Sequence, residues 1–288
     1  MLAAEVRRAA DKLLAAGVDS PRPDAEQLAA HVLGVPRGRL ELASFDAGQL
    51  DRFRALVERR ARREPLQHLI GSVGFRRLDL LVGPGVFVPR PETESVVQWA
   101  VEQLISALAG RRAPVVVDLC TGAGTIALSL AKEAPGAQVH GVDLDPAALA
   151  WARRNVERTG LPVTLHQCPV AEVAARLPEL LGAVDLVASN PPYVALGERH
   201  QVDPEVLDHD PAVALWAGAD GLDLVRSVEA AARRLLQPGG LVAVEHSDRQ
   251  GRSAPAVFTA AGGWSEVADH RDLAGRDRFV TARWTGAR

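Results

Sequence analysis

The segment Val115-Val116-Val117-Asp118-Leu119-Cys120-Thr121-Gly122-Ala123-Gly124-Thr125 decides the fold. Its three consecutive valines read as a strand buried on both faces. The glycines at 122 and 124 then let the backbone turn sharply and approach a ligand closely. The helix that follows offers an N-terminus that favours a negative group such as a carboxylate. The next strand ends in Asp143, 19 residues after Gly124, where its carboxylate can accept hydrogen bonds from ribose hydroxyls. A nucleoside ligand is implied, but the turn alone does not choose it. Gly122-Ala123-Gly124-Thr125-Ile126-Ala127 also fits the G-x-G-x-x-A dinucleotide fingerprint. S-adenosylmethionine and a nicotinamide dinucleotide therefore stand level here, with a plain tight turn as the third reading. Asp118 either orients the loop or faces the amine of the ligand.

Downstream, strands and helices alternate. Strands are expected at Val115–Leu119, Val139–Val142, Val163–His166, Val184–Ser189, Leu241–Glu245, Trp264–Ala268 and Arg278–Arg283, with helices opening at Gly124 and Pro146. Such alternation predicts an α/β fold with a mostly parallel seven-stranded sheet covered by helices on both faces. The fourth strand ends in Asn190-Pro191-Pro192-Tyr193. Ligands bind beyond the carboxyl ends of strands in open sheets of this kind, so this tetrapeptide should face the same crevice as the glycine turn. Two consecutive prolines forfeit two backbone donors and stiffen the chain. An amide or aromatic amine nitrogen gives a reason for that rigidity. Its lone pair is delocalised, and positive charge develops on it as it attacks a sulfonium methyl. The side-chain oxygen of Asn190 and the carbonyl of Pro191 can accept both of its N–H bonds, while Tyr193 packs against the planar group. The bland reading is an Asn-Pro-Pro turn with a core tyrosine.

Upstream, no strand pattern precedes residue 65, and residues 1–70 read as a small helical domain. The arginines at 52, 54, 59, 60, 62 and 63 are read as a solvated helix face, with an acidic docking partner as the alternative. Residues 71–90 read as a β-hairpin linker, with strands at Phe75–Val82 and Val86–Val88 turning through Gly83-Pro84-Gly85. Pro89-Arg90-Pro91-Glu92-Thr93-Glu94 opens a helix running to about Leu108, with Gly110 just past its end, and residues 91–288 form the large domain. Two cysteines and the lack of an 18-residue apolar run point to a cytoplasmic chain without disulfides or a membrane span. The net charge of −3 gives no basic surplus for direct nucleic-acid binding. Neither C-x-x-C nor H-E-x-x-H spacing occurs, so no metal site is expected. His246 reads as a structural residue near the cleft.

Asp118 to Gly124, Asp143 and Asn190-Pro191-Pro192-Tyr193 together resemble a Rossmann-like class I methyltransferase with the N-P-P-Y motif. That motif is shared by enzymes acting on glutamine and on nucleic-acid amines, so other residues must choose the substrate. The order of the helical domain, Glu64-Pro65-Leu66-Gln67-His68, Arg90-Pro91-Glu92-Thr93-Glu94, Asp210-Pro211-Ala212 and Asp272-Leu273-Ala274-Gly275-Arg276 is similar to the HemK-like release factor glutamine methyltransferases over nearly the whole chain. The resemblance implies transfer of methyl from S-adenosylmethionine to the glutamine of a Gly-Gly-Gln loop in peptide chain release factors. It also implies a helical domain that engages that protein, and a monomer. The alternatives are an exocyclic amine of nucleic acid or a glutamine of a ribosomal protein. The resemblance implies cofactor contacts at Asp118, Cys120, Thr121, Gly122, Ala123, Gly124, Asp143 and Val170. It implies a catalytic set of Asn190, Pro191, Pro192 and Tyr193, with Arg90, Glu92 and Thr93 also meeting the substrate. Two positions depart from the family pattern: Cys120 stands where the first glycine of the turn is common, and Pro169 where an acidic residue near adenine is usual.

Overall fold

The computed structural model describes residues 2–106 and 113–286, so the expected helix end near Leu108 and Gly110 lies outside the described residues. The first part of the chain is helical: α1 (Leu2–Ala15), α2 (Pro21–Leu33), a 3-10 turn at Arg37–Leu42, α3 (Ala47–Ala61) and α4 (Leu66–Ile70). Local chemistry sets these boundaries. Pro21 occupies the first turn of α2, and Gly34 ends it with a left-handed φ of 64°. At α3 a capping box forms, in which the Gln49 N–H donates to Asp46 Oδ1 at 2.7 Å and the Asp46 N–H to Gln49 Oε1 at 3.0 Å. Leu13, Leu28, Phe53 and Val57 meet in one apolar core.

A hairpin follows, β1 (Ser72–Phe75) and β2 (Leu78–Leu81). Its turn is at Arg76-Arg77, earlier than the expected Gly83-Pro84-Gly85, and Val86–Val88 is not a strand. The reason is tertiary. Arg76 takes a left-handed φ of 48°. Its guanidinium donates to Glu133 at 2.6 and 2.7 Å and to Gln98 at 2.9 Å, and its backbone N–H to Glu94 Oε1 at 3.2 Å. These partners hold a conformation that a bulky residue adopts only at a cost.

The remainder alternates: α5 (Thr93–Ser106), β3 (Val115–Leu119), α6 (Thr125–Glu133), β4 (Gln138–Asp143), α7 (Pro146–Thr159), β5 (Val163–Gln167), α8 (Val173–Arg176), β6 (Val184–Ser189), α9 (Pro204–His209), α10 (Asp223–Leu235), β7 (Leu236–Glu245), α11 (Ser253–Ala261), β8 (Trp264–Arg271) and β9 (Asp277–Trp284). Seven strands form one sheet in the order β5-β4-β3-β6-β7-β9-β8. All neighbouring pairs are parallel except those of β9. Every residue of β6 is buried, as are four of the five in β3, so these strands read as unbroken apolar runs. The strand order reverses between β3 and β6, where Leu119 pairs with Ser189. That register brings the glycine turn and the Asn190 motif to adjacent carboxyl ends, at the switch point where open sheets bind ligands.

The chain divides into two compact units, and Asp203–His209, which holds α9, clusters with the helical one. The solvated-face reading holds for Arg52, Arg54, Arg59 and Arg62, which are exposed, and is corrected for Arg60 and Arg63. Arg60 is only 6% exposed. Its Nε donates to Asp24 Oδ2 at 2.8 Å and its Nη1 to Glu205 Oε2 at 2.6 Å, while Arg63 reaches Asp203 at 3.0 Å. A buried guanidinium needs such carboxylates, because an unpaired interior charge costs several kcal/mol.

Candidate active site

The glycine turn is built from β3 outward. Cys120 carries a left-handed φ of 62°, so this chain makes with a cysteine the corner usually made with glycine. Burial pushes its thiol up, with the charges of Asp143 and Asp118 adding to the rise, which keeps it neutral. Asp118 is fully buried, and its Oδ2 accepts from Thr121 Oγ1 at 2.6 Å and from the Ala127 N–H at 3.0 Å. These bonds tie the turn to the first turn of α6. Burial pushes the Asp118 carboxyl up to about 7 in spite of them. Thr121 is seated by its own N–H on Val142 O at 2.9 Å. Gly141 of β4 makes room for it, since a Cβ there would stand 3.0 Å from Thr121 Oγ1 and 2.9 Å from Leu165. Ala123 is buried, and its carbonyl accepts from Asn155 Nδ2 of α7 at 2.9 Å.

At the end of β4 both carboxylate oxygens of Asp143 accept backbone N–H groups: Oδ2 from Gly122 at 2.8 Å and Oδ1 from Asp145 at 2.9 Å. Burial raises this carboxyl too, against those backbone hydrogen bonds. Cys168 donates its N–H to Asp143 O at 2.9 Å, and Pro169 leads from there into Val170, which packs into the core. A Cβ on Gly122, at φ 58°, would meet nothing within 4 Å. An open backbone face, a helix N-terminus and a carboxylate at the rim together suit the amino-acid carboxylate and the ribose of S-adenosylmethionine.

Beside it stands the second motif. Ser189 donates to Leu119 O at 2.6 Å, locking the end of β6 to β3. Asn190 Nδ2 then donates to Thr93 Oγ1, at the start of α5, at 3.1 Å. With Nδ2 spent there, Oδ1 is the amide atom available to accept. Pro191 is buried, Pro192 and Tyr193 are half-buried, and the Tyr193 hydroxyl donates to Glu245 Oε1 at 3.4 Å. After Tyr193 the chain pairs with the segment around Trp216, where Val194 N–H donates to Leu215 O at 2.9 Å and Ala217 N–H to Val194 O at 3.0 Å. Gln250 Nε2 fastens the same loop by donating to the carbonyls of Tyr193 and Gly221 at 3.3 and 3.2 Å. Gly221 has φ 74°, and a Cβ there would lie 2.4 Å from Tyr193 O. Gly221→Ala is therefore expected to destabilise the protein by about 2 kcal/mol, the sum of left-handed strain and a backbone clash. Urea unfolding measures this, and an unchanged midpoint would count against it.

Among the residues before the turn, Thr93 joins Asn190. Arg90 instead donates to the buried Asp210 Oδ2 at 3.0 Å and lies over the Phe87 ring, and Glu92 is exposed. His246 is buried between Asp269, 2.8 Å from Nε2, and Ser247 O, 2.8 Å from Nδ1. Sequence reading missed Gly141, Asn155, Gln250 and Glu245. Two left a trace: Asn155 is a polar residue on the apolar stripe of Ala148 and Ala152, and Glu245 is an acid closing the apolar run Leu241–Val244.

Residues 6–71 match the PrmC N-terminal domain and residues 78–210 the methyltransferase small domain. The chain is 53% identical over 286 residues to the release factor glutamine methyltransferase of Streptomyces coelicolor, covering 98% of each chain. It is 44% identical over 273 residues to the 4-amino-L-phenylalanine/4-methylamino-L-phenylalanine methyltransferase of Streptomyces pristinaespiralis, covering 93% of this chain and 90% of that one. The solved hMettl16 catalytic domain, in complex with a MAT2A 3′UTR hairpin, superposes with a TM-score of 0.55 at 16% identity over 73% of this chain and 76% of that one, a likeness of fold. With the glycine turn and the Asn190 motif at one switch point, and similarity running the whole length through the helical part, the chain belongs to the release factor glutamine methyltransferase family.

Proposed function

We propose that this enzyme transfers the methyl group of S-adenosylmethionine to the side-chain amide nitrogen of the glutamine in the Gly-Gly-Gln loop of peptide chain release factors. Identity of 53% across 98% of both chains carries the reading, because it includes the helical unit as well as the sheet. When bound, S-adenosylmethionine supplies an electrophilic sulfonium methyl. The protein's part is to hold and polarise the acceptor. Asn190 Oδ1 and the Pro191 carbonyl accept the two amide N–H bonds, aim the nitrogen, and stabilise the positive charge that grows on it. Tyr193 lies against the amide plane. Thr93 supports Asn190, and Arg90 and Glu92 meet the substrate loop. Cys120, Thr121, Gly122, Ala123 and Gly124 cradle the methionine part with Asp118 ordering them from behind, Asp143 takes the ribose hydroxyls, and Val170 lies by the adenine. No side chain need remove a proton before transfer, because the N–H becomes acidic only after alkylation. In this reading the helical domain, residues 1–70, docks the release factor, residues 71–90 link it to the methyltransferase domain, and the enzyme works as a monomer in the cytoplasm. The net charge of −3 supports a protein acceptor over a nucleic acid.

Labelled S-adenosylmethionine is expected to mark a purified release factor and to leave its Gln→Ala loop variant unmarked. The 44% identity to the Streptomyces pristinaespiralis enzyme favours one second reading, an aromatic amine whose lone pair is likewise delocalised. Label entering 4-amino-L-phenylalanine and not the release factor would replace the first reading with the second.

A further inference from the structure

Gln250 lies in the turn between β7 and α11 and is 7% exposed. Its neighbours orient its side-chain amide in only one way. The Ser247 N–H, which can only donate, reaches Oε1 at 3.0 Å. Three backbone carbonyls, which can only accept, surround Nε2: those of Tyr193 and Asp220 at 3.3 Å and of Gly221 at 3.2 Å. Gly221 lets them gather, since a Cβ there would stand 2.7 Å from this Nε2 as well as 2.4 Å from Tyr193 O. The anchored end is held too. Ser247 O accepts from the Gln250 N–H at 2.9 Å and from His246 Nδ1 at 2.8 Å. The fully buried His246 in turn rests its Nε2 on Asp269 Oδ1 of β8 at 2.8 Å.

We propose that Gln250 is a positioning residue that fixes the peptide joining Tyr193 to Val194, and with it the setting of the Tyr193 ring against the planar group to be methylated. The proposal rests on the reading of Asn190-Pro191-Pro192-Tyr193 as the acceptor site. That peptide is gripped from both sides: its N–H donates to Leu215 O at 2.9 Å, and its carbonyl accepts from Gln250. One hydrogen bond alone leaves a peptide free to rock about it, whereas two opposed bonds set its plane. Upstream, the two prolines hold their own φ, and Ser189 locks the strand end to Leu119 O. The peptide after Tyr193 is therefore the place where the motif would otherwise give. Three carbonyl dipoles aimed at one buried spot repel one another unless a donor stands between them, and the two Nε2 protons of Gln250 are shared among them. An apolar residue there would leave these carbonyls to turn toward other donors, swinging the tyrosine with them. This accounts for a buried glutamine where packing alone would favour an aliphatic side chain.

The composition of the chain offers a direct reporter. Tyr193 is its one tyrosine, so fluorotyrosine incorporated throughout the protein gives a single fluorine resonance, and that resonance belongs to the acceptor motif. It reads the setting of the ring with no substrate present.

The test compares Gln250→Met and Gln250→Glu with the wild type. Gln250→Met keeps the length and unbranched stem of the side chain and should fold. Its kcat for release-factor methylation is expected to drop about 10- to 100-fold from misorientation, with S-adenosylmethionine affinity within about twofold of wild type. Gln250→Glu keeps the acceptor for Ser247 but turns a carboxylate on three carbonyls. Above neutral pH it should lose at least as much as Gln250→Met, and its rate relative to wild type should rise as pH falls and a proton restores the donor. In both variants the fluorine resonance of Tyr193 is expected to shift or broaden, and in Gln250→Glu to return toward its wild-type position on acidification. An unmoved resonance in both variants would overturn the proposal whatever the substrate is, and so would wild-type kcat in a folded Gln250→Met enzyme. Loss of S-adenosylmethionine binding in both would overturn it as well, by showing that Gln250 supports the fold as a whole. Failure of the wild-type enzyme to mark the release factor would touch only the substrate assignment, because the resonance is read without an acceptor.

Discussion

Asn190→Ala is expected to lower kcat for methyl transfer by about 10²- to 10³-fold, the loss typical of removing one preorganised group that meets developing charge. The variant deletes Oδ1, the oxygen left available once Nδ2 is committed to Thr93. It leaves the glycine turn alone, since Ser189 rather than Asn190 makes the bond to Leu119 O. S-adenosylmethionine affinity should therefore stay within about twofold of wild type, so that the loss falls on the transition state and not on cofactor binding. Equilibrium binding and single-turnover transfer, run on the same preparation, separate the two. A parallel loss of affinity would mean that Asn190 acts mainly by supporting the cofactor turn.

Asp143→Ala should have the opposite signature. Its carboxylate accepts from the Gly122 and Asp145 N–H groups and, in the proposed function, also takes the ribose hydroxyls. Hydrogen bonds to a charged group are each worth about 1.5–3 kcal/mol, and the substitution removes the ribose acceptors while freeing the turn. The Kd for S-adenosylmethionine is expected to rise about 100-fold, with kcat at saturating cofactor changed much less. Asp143→Asn keeps one acceptor oxygen and should fall between. Titration calorimetry checks the series, and wild-type affinity in Asp143→Ala would remove Asp143 from the cofactor site.

Much of this site is legible before folding because its signals are local. Three valines, two glycines and a helix start lie within eleven residues, and strand propensity, turn geometry and helix polarity act over that range. Asn190-Pro191-Pro192-Tyr193 is legible for the same reason, since its stiffness is covalent. The hairpin shows where local reading fails. Gly83-Pro84-Gly85 does turn the chain, but the paired hairpin closes earlier, at Arg76-Arg77, where Glu133 and Glu94 hold the left-handed Arg76. One arginine of α3 escapes local reading in the same way, while Arg52, Arg54 and Arg59 are exposed as expected. Arg60 looks solvated until Glu205, 145 positions away, closes over its guanidinium.

The sequence by itself determined the class of fold, the two motifs and their nearness at one sheet edge, because parallel strands buried on both faces leave unbroken apolar runs and their order limits which ends can meet. Only the tertiary structure decided the polarity of the site. Which atom of Asn190 faces outward depends on Thr93, 97 positions away, whose hydroxyl oxygen accepts from Nδ2 at 3.1 Å. A side-chain amide has no preferred face in an isolated segment, and acquires one when folding sets a buried hydroxyl oxygen beside its nitrogen.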